Sequence, residues 1–187
     1  MKELSLNILD IAMNSVKANA DLIEIELTEN DSVLSIKISD NGCGMEKDFL
    51  AKVTDAWSTT RTTRKVGMGI PFFKLASEQT GGGLSITSTP ERLSENHGTV
   101  ISADFIKTSI DYTPLGDIVS TVTTLIQGSP DIHWIFVHHI NENDIKLDTD
   151  ELKAVLGEVG LDNHEVLLWI SAYLKEAYEE INYTLKG

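Results

Sequence analysis

A short polar motif follows a stretch of strict apolar/polar alternation in the first quarter of the chain. Residues 34–39 alternate as a half-buried β-strand does, and Asp40 stands at the end of that strand. A carboxylate there can accept a hydrogen bond from an exocyclic amine, while Gly42 and Gly44 let backbone approach a flat ring. A strand that ends in Asp-Asn-Gly is, in isolation, more often a turn. The motif, which ends at Met45, therefore indicates a purine site only if phosphate-binding groups accompany it.

A glycine-rich segment leads into another predicted helix. Pro71 suits the first helical position and the glycines at 81–83 suit a C-terminal cap, so we expect a helix over 71–80. Its N-terminus would present free backbone amides beside two flexible glycines, which is a phosphate-binding arrangement. The residues expected at this site are Gly67, Met68, Gly69 and Ile70.

The segment just upstream, residues 58–65, carries hydroxyls and three cations and has no apolar side chain. A solvated loop is the simpler interpretation of such a segment alone. Because it directly precedes a glycine-rich helix start, we interpret residues 57–69 as a mobile lid over phosphates. The candidate phosphate ligands within it are Thr60, Arg61 and Lys65.

The first predicted helix, residues 3–20, places polar side chains at three- and four-residue steps on one face. An ordinary solvent face is the alternative. Asn14 could coordinate Mg²⁺ through its side-chain oxygen, because Mg²⁺ prefers hard oxygen ligands and keeps several waters. Asp10, one turn earlier, could orient or deprotonate a water or hydroxyl nucleophile. Lys17 could reach a phosphate.

The order of these motifs resembles the gyrase, chaperone, histidine-kinase and MutL (GHKL) ATPase superfamily, and is most similar to the histidine-kinase type of ATP-binding domain. The resemblance implies ATP and Mg²⁺ as ligands, with Asp40 on the adenine amine and Asn14 on the metal. It also implies that Thr99 helps to close the adenine pocket and that Asp10 occupies the position of the hydrolytic base. The matching motifs are Asp10-x-x-x-Asn14-Ser15, Asp40-x-Gly42-x-Gly44, Gly67-Met68-Gly69-Ile70 and Gly98-Thr99.

Two positions depart from that family pattern. The base is usually a glutamate, whereas Asp10 is one methylene shorter, so hydrolysis is less secure than binding. Lys65 and Val66 stand where the second glycine motif usually opens with a further glycine, which predicts a stiffer lid. Residues 63–71 also resemble small stand-alone ATP-binding proteins encoded beside iron-only hydrogenases in anaerobic bacteria.

Composition and charge limit the possible partners. The net charge is −14, and residues 108–187 hold 14 acids and four lysines, a balance of −10. Such an acidic region argues against binding a nucleic-acid backbone and favours protein contact or solubility. The longest apolar run, residues 132–140, is too short to span a bilayer and no signal core precedes the first helix, so we expect no membrane anchor. The single Cys43 cannot form an internal disulfide, which is consistent with a reducing, cytoplasmic location.

The predicted elements give an α+β fold, a two-layer α/β sandwich of the Bergerat type with helices on one face of a mixed, mostly antiparallel sheet. The predicted strands are 22–28, 33–39, 84–88 and 99–106, with a helix at 46–56. We assign residues 1–107 to an ATP-binding domain. Residues 108–187 form an acidic α/β appendage with helices at 118–127, 149–156 and 163–182 and strands around 132–137 and 145–147. This appendage is either an interaction or regulatory surface or an extension of the core.

Aromatic and histidine side chains in the appendage suggest packing more than chemistry. Neighbouring His138 and His139 point to opposite faces of a strand, which makes them poor joint metal ligands. Trp134, Trp169 and Tyr173 are expected to pack, because no basic residues interleave them as in a base-stacking platform.

Two functions of different classes remain open. In the first, the chain is an ATPase or a protein serine kinase like the anti-sigma-factor members of the superfamily, with slow hydrolysis or phosphoryl transfer to a protein. In the second, it is a non-catalytic nucleotide-sensing module that controls an unidentified protein partner, including a redox or hydrogenase system. A conventional histidine autokinase is disfavoured, because His97 is the single histidine before residue 108 and no phospho-acceptor helix hairpin precedes the domain.

Overall fold

The computed structural model describes residues 3–54, 69–181 and 183 of the 187-residue chain. Within these ranges, no helix is long and apolar enough to cross a membrane. The strands are β1 (Leu22–Glu29), β2 (Val33–Asp40), β3 (Gly83–Thr89), β4 (Gly98–Ile106), β5 (His133–Ile140) and β6 (Asn143–Asp148). The helices are α1 (Leu4–Lys17), α2 (Lys47–Thr54), α3 (Gly69–Gln79), α4 (Ile118–Gly128), α5 (Thr149–Leu156) and α6 (His164–Glu180), and a 3₁₀ turn covers Glu91–Leu93.

The described strands form one sheet in the order β3-β4-β2-β1-β5-β6. All neighbouring pairs are antiparallel except β1 and β5, which run parallel. Alternation in β1 buries Ile23, Ile25 and Leu27 under the helices and leaves the intervening side chains on the wetter face. The predicted fold class, a mixed and mostly antiparallel sheet with helices, is confirmed.

The helix that carries the predicted catalytic residues is anchored at its first turn by the C-terminal part of the chain. The backbone amides of Leu4 and Ser5 donate to the carbonyls of Pro114 and Leu115 at 3.0 and 2.8 Å. These bonds satisfy two donors that have no partner inside α1. Because α1 also packs on α3 and α4, its position depends on both halves of the sequence.

The boundaries of two predicted helices shift for local reasons. Helix α3 begins at Gly69, so Pro71 is its third residue rather than its first. It ends at Gln79, one residue before the predicted end, where the amides of Gly81 and Gly82 bond back to the carbonyls of Glu78 and Ser77 in a Schellman arrangement. The first helix ends at Lys17 rather than residue 20, and Asn19 has a positive φ of 57°.

The described residues after residue 107 contribute to the same sheet and the same core as the N-terminal part. β5 lies along β1, from Leu22 beside His133 to Glu29 beside Ile140, and β6 extends the sheet beyond it. A single cluster of buried apolar side chains runs from α1 to α6 among the described residues. The division at residue 107 stays a prediction.

The aromatic residues that were expected to pack do so in two different environments. Trp134 is buried on β5 and donates its indole N–H to the carbonyl of Ser129 at 3.0 Å. Trp169 and Tyr173, in contrast, are exposed on α6 and stack on each other outside the core. The physical reason is that α6 already fills its core-facing arc with Val166, Leu167, Ile170, Leu174 and Tyr178.

A polar cluster is buried where β1, β5 and α6 meet. Glu29, 7% exposed, pairs with Lys107 at 2.5 Å and accepts the Tyr183 hydroxyl at 2.5 Å. His138 is fully buried, with Nδ1 2.9 Å from the Tyr178 hydroxyl and Nε2 3.3 Å from Oε2 of Glu29. Burial acts to raise the pKa of Glu29, but the contacts with His138, Lys107 and Tyr183 outweigh it and lower that pKa to about 2. Burial lowers the pKa of His138, which keeps the imidazole neutral.

This cluster predicts that the fold loses stability in acid. A depressed carboxyl pKa stabilises the fold above the unfolded-state pKa of 4.5 and ceases to do so as pH falls toward 2. The fall of the Glu29 pKa from 4.5 to about 2 corresponds to about 3 kcal/mol of the free energy of unfolding. The lowered pKa of His138 adds a loss that begins below pH 6.5. Urea unfolding between pH 7 and 3 should show a smaller pH dependence in Glu29→Gln than in wild type. Glu24→Gln, on the wetter face of β1, should retain the wild-type dependence, and parallel curves for wild type and Glu29→Gln would contradict the assignment.

Candidate functional site

A cavity of about 420 Å³ opens between α1, the end of β2, α2 and the start of β4. Seven of the residues predicted from sequence line it: Asn14, Lys17, Asp40, Gly44, Met45, Ile70 and Thr99. The remaining walls are Ile11, Ser15, Ala18, Cys43, Phe49, Val53 and Ile101. The cavity thus combines an apolar slot with a small polar edge, the combination that a planar heterocycle with a few hydrogen-bonding groups requires.

The Asp40 carboxylate is held in one orientation by three donors. Its Oδ1 accepts from the backbone amides of Gly42 at 2.9 Å and Thr99 at 3.2 Å. Its Oδ2 accepts from the Ser15 hydroxyl at 2.5 Å. Because β2 and β4 pair with Asp40 opposite Thr99, the sheet register itself brings these groups together. Asp40 is therefore an oriented acceptor at the polar edge of the cavity.

Two glycines allow the backbone to come close enough to build this edge. Gly44 has φ +66°, and a Cβ there would lie 2.0 Å from the carbonyl oxygen of Thr89. Gly98 has φ +127°, and a Cβ there would lie 1.9 Å from the carbonyl oxygen of Asp40. A side chain at either position would clash with backbone as well as strain it. The predicted Gly98-Thr99 pair therefore has a steric basis.

A hydrogen-bond chain behind the polar edge was not foreseen from the sequence. The Ser88 hydroxyl accepts from the Met45 amide at 2.8 Å and lies 2.9 Å from the Thr99 hydroxyl. Nδ1 of His97 lies 2.6 Å from the carbonyl oxygen of Gly42. These contacts fix the loop after β2 against the β3–β4 hairpin. Ser15 had a sequence signal, since it follows the predicted metal ligand, whereas Ser88 and His97 had none.

The predicted catalytic face of α1 reaches the cavity only in part. Asn14 and Lys17 line it, but Asp10 does not. Asp10 is exposed one turn earlier, beside the start of α3, where a Cβ on Gly69 would lie 3.1 Å from its own Cβ. Asp10 thus lies beside the first turn of α3, outside the cavity lining. The remaining predicted phosphate ligands and residues 57–68 of the predicted lid lie outside the described residues; these ligands are Thr60, Arg61, Lys65, Gly67 and Met68.

Asn14 fits a magnesium site of the kind that phosphates complete. Its amide side chain is partly exposed in the cavity wall, and an amide oxygen is a hard ligand. No group of three or more His, Cys, Asp or Glu side chains that could hold a metal occurs in the part of the chain described. A protein-only cage is not needed, since Mg²⁺ commonly takes one or two protein ligands and completes its shell with phosphate oxygens and water.

Sequence comparison identifies the family to which this site belongs. A profile described as "Histidine kinase-, DNA gyrase B-, and HSP90-like ATPase" matches residues 1–109, which is more than half of the chain. The chain belongs to this family. The matched region contains every residue predicted for the site, so the chain is a GHKL ATPase domain by both sequence and fold.

Curated relatives are distant and longer. The DNA mismatch repair protein MutL of Geobacillus sp. (strain WCH70) is 25% identical over 95% of this chain and 33% of its own length. A probable C4-dicarboxylate sensor kinase of Bacillus subtilis (strain 168) is 28% identical over 41% of this chain and 14% of its own length. The chain therefore spans a third or less of either relative.

Solved structures share the fold. The Aquifex aeolicus MutL ATPase domain complexed with ADP superposes with a TM-score of 0.52 at 12% identity, covering 83% of this chain and 69% of that one. The N-terminal domain of a DNA repair protein gives a TM-score of 0.52 at 18% identity, covering 79% of this chain and 52% of that one. Both superpositions extend beyond residue 109, so part of the C-terminal region shares their fold as well.

Proposed function

We propose that this chain binds Mg-ATP and Mg-ADP in the cavity between α1, α2 and β4. The orientation of Asp40 carries this proposal, because a fixed carboxylate at the end of an apolar slot matches the amine edge of adenine. Ile11, Val53 and Ile101 supply apolar surface for the ring. Lys17 and the amides at the start of α3 are placed to receive phosphates.

Slow hydrolysis, or phosphoryl transfer to a protein hydroxyl, is the activity that we propose for the bound nucleotide. Asp10 would accept the proton of the attacking water or hydroxyl, whose oxygen forms a bond to the γ-phosphorus as ADP leaves. Bound Mg²⁺, held by Asn14, would neutralise phosphate charge. The exposed position of Asp10 beside α3 is open to either nucleophile.

A nucleotide-sensing module without turnover is the second candidate. It is favoured by the short side chain of Asp10 and by the absence of that residue from the cavity lining. In this case ATP and ADP would change the affinity for a protein partner only as far as they bind its two states differently. The acidic C-terminal region favours a protein rather than a nucleic acid as that partner. We propose a cytoplasmic location for either function.

Adenine selectivity tests the proposal directly. GTP presents a carbonyl oxygen where ATP presents its exocyclic amine, so two acceptors would face each other at Asp40. We expect ATP to bind at least about tenfold more tightly than GTP, as loss of a charge-assisted hydrogen bond costs about 1.5–3 kcal/mol. Titration calorimetry of ATP, ADP and GTP in Mg²⁺ measures this. Equal affinities would overturn the proposed pocket.

A further inference from the structure

The outer face of α6 presents a rigid, exposed aromatic pair. Trp169 and Tyr173 stack one turn apart, with ring centroids at 5.4 Å and planes 8° from parallel. They are 53% and 39% exposed, and the adjacent Leu168 is 57% exposed. The Tyr173 hydroxyl donates to the carbonyl oxygen of Lys146 on β6 at 3.1 Å, which holds the pair against the edge of the sheet. Aromatic side chains already held in place lose little entropy when they are covered, and they are enriched at interface centres.

Glutamates flank this pair on the same helix face. Glu165 lies four residues before Trp169, and Glu176 lies three residues after Tyr173, the spacings that place helical neighbours together. Both are exposed, as are Glu179 and Glu180. The lysine on this helix, Lys175, interacts electrostatically with Asp117 at the start of α4. Lys146 on β6 pairs with Glu151 at 3.4 Å, so these two cations of the described residues face carboxylates other than Glu165 and Glu176.

The sign of this charge selects the occupant. A phosphate backbone and an anionic membrane surface would both be repelled by the glutamates. A second copy docked by a two-fold axis would place the same glutamates against one another. A positively charged protein segment with apolar side chains is attracted by both parts of the surface.

We propose that this α6 patch, formed by Glu165, Leu168, Trp169, Tyr173 and Glu176, docks a basic amphipathic segment of a partner protein. Apolar side chains of the partner cover the aromatic pair, and its lysines or arginines meet the two glutamates. Glu176 lies eleven positions after Glu165 on the helix, so the partner's cations lie about 16 Å apart. α6 packs on α4 and β6, and β6 is at the opposite edge of the sheet from β3. Docking therefore leaves the cavity open and does not rest on nucleotide binding.

Fluorescence anisotropy with a synthetic probe tests the patch. The probe is a labelled 18-residue leucine–lysine peptide with helical periodicity, and the control peptide carries glutamate in place of every lysine. The full chain should bind the lysine peptide saturably and the glutamate peptide not at all. Trp169→Ala should weaken binding about tenfold or more, as truncation of a central aromatic does. Glu165→Lys combined with Glu176→Lys, which alters exposed positions only, should weaken it by a similar factor.

Leu93→Ala provides the matched control. Leu93 is 60% exposed in the 3₁₀ turn between β3 and β4, so its truncation removes exposed apolar surface far from α6. Binding by this variant should stay within about twofold of wild type, since it is outside the patch. Wild-type affinity in Trp169→Ala, equal loss in Leu93→Ala, or no saturable binding of the lysine peptide each overturn the proposal. Sedimentation that shows a wild-type dimer lost in Trp169→Ala also overturns it, because the occupant would then be a second copy.

Discussion

Replacement of Asp40 by asparagine is expected to weaken ATP binding roughly ten- to hundredfold, the effect of losing a charge-assisted hydrogen bond worth about 1.5–3 kcal/mol. The amide oxygen can still accept from the backbone amides of Gly42 and Thr99, as Oδ1 does in the wild type. The amide nitrogen then replaces Oδ2 and opposes the adenine amine with a second donor. Titration calorimetry with ATP in Mg²⁺ measures the loss.

Asp104→Asn is the matched control for this substitution. Asp104 lies on β4 and accepts from the Ser35 hydroxyl at 2.6 Å, outside the cavity lining. The same chemical change there should leave ATP affinity within about twofold of wild type. Unchanged affinity in Asp40→Asn, with the fold intact, would show that the carboxylate does not contact the base.

Asp10→Asn is expected to separate turnover from binding. If Asp10 is the base, its amide counterpart cannot accept the proton, and turnover should fall about a hundredfold or more. Because Asp10 does not line the cavity, the ATP affinity of Asp10→Asn should stay within a few-fold of wild type. Phosphate release and calorimetry on the same preparations measure both quantities.

Asn14→Ala should instead change ATP binding, through its dependence on Mg²⁺. Removing the amide oxygen should abolish the difference between ATP binding in Mg²⁺ and in EDTA, because that oxygen is the proposed metal ligand.

Unaltered turnover in the Asp10→Asn variant would exclude Asp10 as the base. Wild-type protein with neither phosphate release nor transfer to a protein would favour the sensing module.

The N-terminal site was predictable from sequence because its signals are local. The alternation before Asp40 fixed which face of β2 is buried, and glycines marked the two close backbone approaches at Gly44 and Gly98. Ser88 and His97 could not be found in this way. Their role depends on the register between β3 and β4, which brings Ser88 opposite Thr99 and has no short sequence signature.

The C-terminal region was harder to predict for two physical reasons. Periodicity located α6 and its core-facing side, but it could not show that Trp169 and Tyr173 stack on each other outside that side. Periodicity also cannot state which strands pair, so the parallel contact between β1 and β5 was not foreseen. Buried polar residues such as His138 gave no pattern, since their partners come from distant segments.

The parallel pairing of β1 with β5 constrains how this molecule is made. The two strands are more than a hundred positions apart, so a chain emerging from the ribosome forms β1 and β2 long before β5 exists. During that interval β1 is an open edge with buried-type side chains, the kind of edge that recruits other strands. The first turn of α1 likewise waits for the carbonyls of Pro114 and Leu115. We therefore expect the cavity beside α1 to be completed late in synthesis, and the exposed edge of β1 to need protection until the C-terminal residues arrive.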